Sequence, residues 1–155
     1  EALRQQVASP FRLLICYDRD DDTTLPALRR ADPSLAIILV KNQGRGAHGA
    51  VVSGFRASTA PAVLVMPADD TSNAGLVDRM VQLCGQGYDV VAPSRFMPGG
   101  CMVGCRWLKA FLVRSAAFAL WALARVPTRD ATNGFRLFSR RTLAQIPIES
   151  SVGFT

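Results

Sequence analysis

Leu35-Ala-Ile-Ile-Leu-Val-Lys41 runs without a break into Asn42-Gln43-Gly44-Arg45-Gly46-Ala47-His48-Gly49 and then into Ala50-Val-Val-Ser-Gly-Phe-Arg-Ala-Ser58, and this stretch decides the fold. Its first seven residues are almost continuously apolar, the pattern of a parallel strand covered on both faces. From Ala47 to Ser58 the apolar and small residues recur at helical spacing, so strand, glycine turn and helix form one β-α unit. The same beat recurs on either side. Phe11–Tyr17 (FRLLICY), Ala62–Pro67 (AVLVMP) and Tyr88–Pro93 (YDVVAP) read as strands, and Leu25–Arg30 and Gly75–Gly85 as helices between them. Repeated units of this kind predict an α/β fold with a doubly wound, mostly parallel sheet.

After Pro93 the rhythm changes. A glycine-rich loop (MPGGCMVG) leads to a helix near Trp107–Arg125, then to the segment Arg129–Phe138 and a last helical piece from Arg140. Lys109 and Arg114 interrupt the apolar run Trp107–Ala124, whereas crossing a bilayer takes an uncharged span of about 20 residues. The helix therefore reads as buried or lying on a membrane surface. The chain opens on helix-like residues (EALRQQVA) and stops at Ser150–Thr155 without a closing element, which predicts one domain truncated at both ends.

At 155 residues there is room for one domain, and 49% apolar residues give it a core and exclude global disorder. Sixteen Arg and two Lys face ten Asp and two Glu, for a net charge of +6. Arg suits bidentate capture of phosphate or carboxylate. Half of the twelve acids stand in two short stretches, Asp18 with Asp20, Asp21 and Asp22, and Asp69 with Asp70. Local acid clusters inside an anion-attracting field point to metal or polar-ligand chemistry. The four cysteines show no CxxC and there is a single His, so neither a disulfide framework nor a zinc site is indicated. Cys16 and Cys84 read as buried free thiols, a reducing cytoplasm fits, and no signal peptide opens the chain.

In open α/β sheets ligands sit beyond the carboxyl ends of the strands. Those ends carry Asp18–Asp22, Asn42–Gly46, Asp69–Asp70 and Ser94–Arg95, so every polar cluster falls on one edge. The first acids can accept from a nucleoside's ring N–H and ribose hydroxyls. Alternatively they form a solvated turn, with Asp22 starting the next helix. GRGAHG matches GxGxxG, but Asn42 and Gln43 separate it from the strand and the downstream acid is a pair, which argues against a dinucleotide site. Its glycines still permit a close approach of backbone to ligand. His48 reads as a helix-surface residue. Asp69 and Asp70 suit Mg²⁺ or Mn²⁺ on a diphosphate, or one of Asp70, Thr71, Ser72 and Asn73 caps the following helix. Ser94 and Arg95, with Lys109, Arg114 and Arg136, form a candidate cationic site for a second phosphate, or an ordinary Arg-rich surface. No aromatic-plus-basic signature for nucleic acid accompanies them.

In order along the chain, Asp18, GRGAHG, the MPADD acids, SRFMPGG and DATNGFRLFSRR resemble the inverting family 2 glycosyltransferases of GT-A fold, in the branch of dolichol-phosphate mannosyltransferases and bacterial polyprenyl-phosphate sugar transferases. The likeness runs from about Phe11 to Thr155. DATNGFR is similar to the branch's D-P-T-S/N-G-F-R, and SRFMPGG to its S-R-Y-x-x-G-G. The resemblance implies a UDP- or GDP-sugar donor, a divalent cation (Mg²⁺ or Mn²⁺), and transfer to a lipid phosphate at the cytoplasmic face of a membrane. Asp18 matches the acid at the nucleotide base and Asp22 the second acid of that loop, with Asn42, Gly46 and Asp69 completing the donor side. Asp69 matches the last Asp of the branch's D-A-D metal motif, with Asp70 beside it. Ser94, Arg95, Lys109 and Arg136 fall to the acceptor phosphate, and Asp130 lies near the reaction centre.

This chain departs from the pattern in three places. Pro67 stands where the first Asp of D-A-D would be, Tyr17-Asp18-Arg19-Asp20 replaces D-D-G-S, and the family's first strand and the elements after G-F-x-F are missing. In the mechanism so implied, Asp69, with or without Asp70, holds the cation on the donor diphosphate. An acceptor that is already anionic needs positioning by Arg95 and Lys109 more than proton removal. A hydroxyl acceptor would need a base, for which Asp130 is the candidate. The competing expectations are a nucleotidyltransferase or dinucleotide enzyme, and a degenerate domain that binds nucleotide-sugar or membrane without turnover.

Overall fold

The computed structural model describes residues 2–28, 35–68, 70, 72–102 and 104–148. Among them helices and strands alternate: α1 (Ala2–Gln6), β1 (Leu13–Tyr17), α2 (Thr24–Leu28), β2 (Ile37–Lys41), α3 (Gly46–Ala57), β3 (Ala62–Val65), α4 (Val77–Gly85), β4 (Val90–Val91), α5 (Trp107–Ala122), β5 (Arg136–Ser139) and α6 (Arg140–Gln145). Every strand read from an apolar run forms, each shorter than the run that announced it. Arg29 and Arg30, at the end of the second predicted helix, lie outside the described residues.

β1 and β2 pair in parallel, from Leu13 opposite Ile37 to Tyr17 opposite Lys41. β5 lies between β3 and β4 and runs antiparallel to both. The α/β expectation holds, but the described strands form two sheets, the parallel pair β1–β2 and the set β3–β5–β4 in which β5 is antiparallel to both neighbours. The connections explain the reversal. α4 carries the chain from β3 to β4 as a short crossover that preserves direction, whereas β5 is reached through the long excursion of residues 92–135 and enters from the other end.

Packing follows residue size. α3 lies on β1 and β2, and small residues bring it close: Gly49 and Ser53 are buried, and a Cβ on Gly54 would stand 3.2 Å from the Cys16 sulfur. Burial raises the Cys16 thiol pKa; the four cysteines are free, and Cys16 and Cys84, expected to be buried, are half-buried. α3 also reaches the second sheet, where Phe55 meets Phe138 edge-on at 5.4 Å between ring centroids. On that sheet Val77 and Met80 of α4 bury against Phe135 and Leu137, with Leu3, Val7 and Leu64 around them. The α1–β1 linker is tied to α4 because the Asp78 carboxylate accepts from the Ala8 and Ser9 amides, both at 2.8 Å. The Ser9 side chain first, then these two amides, hold the Asp78 carboxyl below its usual range.

α5 differs from the other helices. Only Ala117 of its residues is buried, while Trp107 is 80% exposed and Phe111, Leu112 and Phe118 are exposed as well. Of the two expectations for this helix, burial is overturned: an all-round apolar sequence reads as a core helix, but among the described residues no second layer covers it. No helix among the described residues is long and apolar enough to cross a membrane.

Candidate active site

Asn42 organises the first half of the site. Coming directly off β2, its Nδ2 donates to Asp18 Oδ1 at the end of β1 (2.5 Å) and to the Gly46 carbonyl (3.1 Å). Its Oδ1 accepts from the Gly44 amide at 2.8 Å and from the Ser53 hydroxyl, and the Ser53 hydroxyl in turn accepts from the Gln43 amide. One amide side chain thus joins two strand ends to the start of α3. The glycines of GRGAHG are explained by the same geometry. Gly44 and Gly49 pack backbone to backbone: a Cβ on Gly49 would lie 2.7 Å from both Asn42 Oδ1 and the Gly44 carbonyl carbon. Gly46 has φ of +58°, where a side chain is strained. Two of the three glycines therefore serve close packing of turn on helix.

The remaining acids of the first loop are held locally. Asp20 accepts from Lys41 Nζ at 2.6 Å, and this bond raises the Lys41 pKa. Asp21 pairs with Arg19 through two bonds. Asp22 accepts from the Thr24 amide at 2.8 Å, starting α2 and lowering its own carboxyl pKa through that bond. Asp18, Asn42 and Gly46 therefore form one cluster, while Asp22 does what the bland expectation assigned it.

At the end of β3, Asp69 lies outside the described residues. Asp70 turns both carboxylate oxygens to Asn73, accepting from its amide (3.3 Å) and from its Nδ2 (2.9 and 2.7 Å). It closes the turn into the short 3₁₀ segment Ala74–Leu76. Pro67 offers no side-chain ligand, its carbonyl accepts from the Asp70 amide at 3.1 Å, and no group of three or more His, Cys, Asp or Glu able to hold a metal occurs among the described residues. Of the two predicted ligands the described one, Asp70, is engaged with Asn73.

The second half of the site is a seam between the loop after β4 and the segment before β5. Asp130 is fully buried. It accepts from the Arg95 amide (3.0 Å), from Arg95 Nε (2.8 Å) and from Arg95 Nη2 (2.6 Å). Arg95 Nη2 also donates to Thr132 Oγ1 at 2.8 Å. Burial pushes the Asp130 carboxyl up, but the bonds from Arg95 and its charge outweigh this and hold it below the usual carboxylate range. Asn133 completes the seam, donating through Nδ2 to the Pro93 carbonyl at 2.7 Å. The glycine-rich loop closes on the same place: a Cβ on Gly100 would stand 2.5 Å from the Ser94 carbonyl oxygen. Thr132, Asn133 and Gly100 are the residues that sequence reasoning missed. The Asn-Gly pair at 133–134 and the Gly-Gly pair at 99–100 were the turn signals that marked them.

The other predicted acceptor residues spread apart. The Ser94 hydroxyl accepts from the Phe96 amide within its own turn. Arg136, on β5, donates to the Ala131 carbonyl through Nη2, and its Nε is buried without a partner. Lys109 sits on the exposed surface of α5. Beside the seam, Arg95, Phe96, Arg114, Phe118, Trp121 and Arg129 line a cavity of about 410 Å³ between the turn and α5.

The family described as Glycosyl transferase family 2 matches residues 1–146 of the chain. Undecaprenyl-phosphate 4-deoxy-4-formamido-L-arabinose transferase of Pseudomonas syringae pv. syringae (strain B728a) is 36% identical over 100 residues, covering 61% of this chain and 29% of its own length. The transferase of the same name from Pectobacterium carotovorum subsp. carotovorum (strain PC1) is 31% identical over 94 residues, 59% of this chain and 29% of the relative. The matches therefore span under a third of the length of these relatives.

Proposed function

Because the chain belongs to glycosyl transferase family 2, we propose that it moves a sugar from a nucleotide-diphospho-sugar to a polyprenyl phosphate, with inversion, at the cytoplasmic face of a membrane. The observation that carries this reading is the seam. Arg95–Asp130 and Asn133–Pro93 bind the two most family-like segments together beside a cavity rich in Arg and aromatic rings. The relatives' names include undecaprenyl phosphate, an acceptor of the chemistry such a cavity suits. The exposed apolar surface of α5, with Arg106 and Lys109 among its Trp and Leu residues, supports a peripheral place on anionic lipid.

An oxygen of the acceptor phosphate attacks the anomeric carbon while that carbon's bond to the donor diphosphate breaks, and nucleoside diphosphate leaves. The attacking oxygen is already anionic, so no general base is needed. Asp130 is therefore a positioning residue: its carboxylate is committed to Arg95 and shapes the turn that lines the cavity. On the donor side, Asp18, Asn42 and Gly46 form the cluster proposed to take the nucleoside of a UDP- or GDP-sugar. The place of Mg²⁺ or Mn²⁺ rests on Asp69.

Calorimetric titration of UDP and GDP, each with and without Mn²⁺, on this chain and on Asp69→Ala tests the reading. One nucleotide is expected to bind, with a metal-dependent gain that disappears in Asp69→Ala. Binding of neither nucleotide would overturn it. Pro67 and the engagement of Asp70 with Asn73 favour a second reading, a domain that binds nucleotide-sugar without turnover; it predicts nucleotide binding with no gain from Mn²⁺.

A further inference from the structure

We infer that Cys101 and Cys105, both in the stretch between β4 and α5, are a redox-sensitive pair that a low-molecular-weight disulfide oxidises to a bridge tying the glycine-rich loop beside Arg95. The oxidation stands apart from the proposed transfer; its bearing on sugar transfer rests on that reading. Three observations carry it.

First, the fold brings both cysteines to one residue. Met97-Pro98-Gly99-Gly100 is a tight turn: the Gly100 amide donates to the Met97 carbonyl at 2.8 Å, and Gly99, with φ of +85°, takes the left-handed position after Pro98. The turn lays Gly100 on the backbone of Ser94 and Arg95, where a Cβ would stand 2.8 Å from the Arg95 carbonyl oxygen. Cys101 follows directly. At the other end, the Arg95 pKa is raised first by the bonds to Asp130 and last by the charge of Cys105, so Cys105 too lies within electrostatic reach of Arg95. Three bonds to the buried Asp130 hold Arg95 in place.

Second, the backbone bends before Cys105. Cα atoms four residues apart in an extended chain stand about 13 Å from each other, whereas a disulfide needs about 4.4–6.8 Å. Gly104, with φ of +70°, sets a left-handed bend there.

Third, access and field suit the chemistry. Cys101 is exposed, Cys105 is half-buried, and both are free. From Val90 to Arg129 the sequence holds six cationic residues and no acid, which draws in an anionic oxidant such as glutathione disulfide. Cys16 and Cys84 stand on β1 and α4, outside the loop.

The Cys101 thiolate attacks one sulfur of the oxidant, whose S–S bond breaks; one half leaves as a thiol and the other stays on Cys101 as a mixed disulfide. The Cys105 thiolate then attacks the Cys101 sulfur and expels that second half. Two protein thiols lose two electrons, the oxidant gains them, and the two protons end on the two released thiols. Bridges of this transient kind are the ones found in reducing compartments. Because Met97 and Gly100 line the cavity beside α5, the bridge would fix the loop that forms its wall.

The test incubates the folded chain with glutathione disulfide, counts thiols and maps the tryptic peptides without reduction. Titratable thiols should fall from four to two. The peptide 96–106, which holds both loop cysteines and neither of the others, should become two hydrogens lighter and revert with dithiothreitol. Cys101→Ser should form no protein disulfide, and Cys105→Ser should retain glutathione on Cys101. The bridge should form about ten-fold or more faster in the folded chain than in urea, the advantage of held geometry. The pair is overturned if four thiols persist, if the bridge contains Cys16 or Cys84, or if Cys101→Ser still loses two thiols. Equal rates with and without urea overturn it as well. Brief trypsin treatment of the folded chain reads the consequence: cleavage after Arg106 should slow several-fold on oxidation in the parent and stay unchanged in Cys101→Ser, and a parent cut equally fast in both states overturns the fixing of the loop. UDP and GDP titrations separate the failures, since absent nucleotide binding condemns the transferase reading and leaves the thiol count as it was.

Discussion

The acidic loop after β1 and the seam around Asp130 are both built from Asp paired with a cation, yet they are different kinds of structure. In the loop, Asp20 with Lys41 and Asp21 with Arg19 are exposed pairs. In the seam a single Asp is fully buried and takes three bonds from one Arg that lies 35 residues away. Exposed pairs are worth little because water competes for both partners. A buried pair is worth little in net terms too, but breaking it leaves an uncompensated charge in the interior. The loop can therefore exchange its partners for those of a ligand at small cost, whereas the seam cannot change without unfolding its surroundings. Under the proposed function, ligand recognition falls to the first kind of region and site geometry to the second.

The largest expected effect breaks the seam. Arg95→Met strands the Asp130 carboxylate and should cost about 3 kcal/mol of stability in urea denaturation, the lower end of the range for buried pairs because Arg95 is partly exposed. Adding Asp130→Leu removes the stranded charge and should restore most of that loss. If the double variant is as unstable as the single, the pair is not the unit that the geometry describes. The Asn42 hub comes next. Gly49→Ala pushes a methyl to 2.7 Å from Asn42 Oδ1 and from the Gly44 backbone. It should destabilise by about 1–3 kcal/mol, as overpacking does, and weaken nucleotide binding at the same time. Loss of stability with unaltered nucleotide affinity would separate the hub from the donor site.

A smaller effect sharpens the contrast from the loop side. Asp18 is exposed and bonded only to an amide nitrogen of Asn42 in the described contacts. Asp18→Asn should leave stability within about 0.5 kcal/mol, as for ordinary surface changes, while lowering nucleotide affinity. A large loss of stability instead would place Asp18 with Asp130 as scaffold.

How much of this was legible follows from distance along the chain. FRLLICY, LAIILVK and AVLVMP announce β1, β2 and β3 because an apolar run bounded by turn residues is a local signal. β5 was invisible: in Arg136–Ser139 only Leu137 is buried, and its partners, β3 and β4, lie far back in the sequence. Asp130 could be singled out as an acid in a family-like segment, but its commitment to Arg95 joins residues 35 apart, which no spacing rule reaches. α5 misled for the opposite reason. Apolar composition all round a helix predicts burial only when another layer exists to cover it, and that is a property of the assembled fold rather than of the helix.

The smallest effect tests whether an exposed pair outside the site obeys the loop's rule. Asp89, just before β4, accepts from Arg141 Nε and Nη2 and from the Ser139 hydroxyl. The Arg141 bonds first, then Ser139, depress its carboxyl pKa to about 2. A depressed carboxyl contributes stability that is complete above its unfolded pKa and is lost as pH falls through the folded one. Tm should therefore decline slightly between about pH 4 and pH 2 through this group, and Asp89→Asn should remove that part of the decline while lowering Tm a little at neutral pH. Because both partners are well exposed, 1 M salt should shrink the difference between the two proteins. A salt-insensitive difference, or one comparable with that of Arg95→Met, would mean that the Asp89–Arg141–Ser139 cluster is a second seam, fixing β5 and α6 against β4 as firmly as Asp130 fixes the turn beside α5.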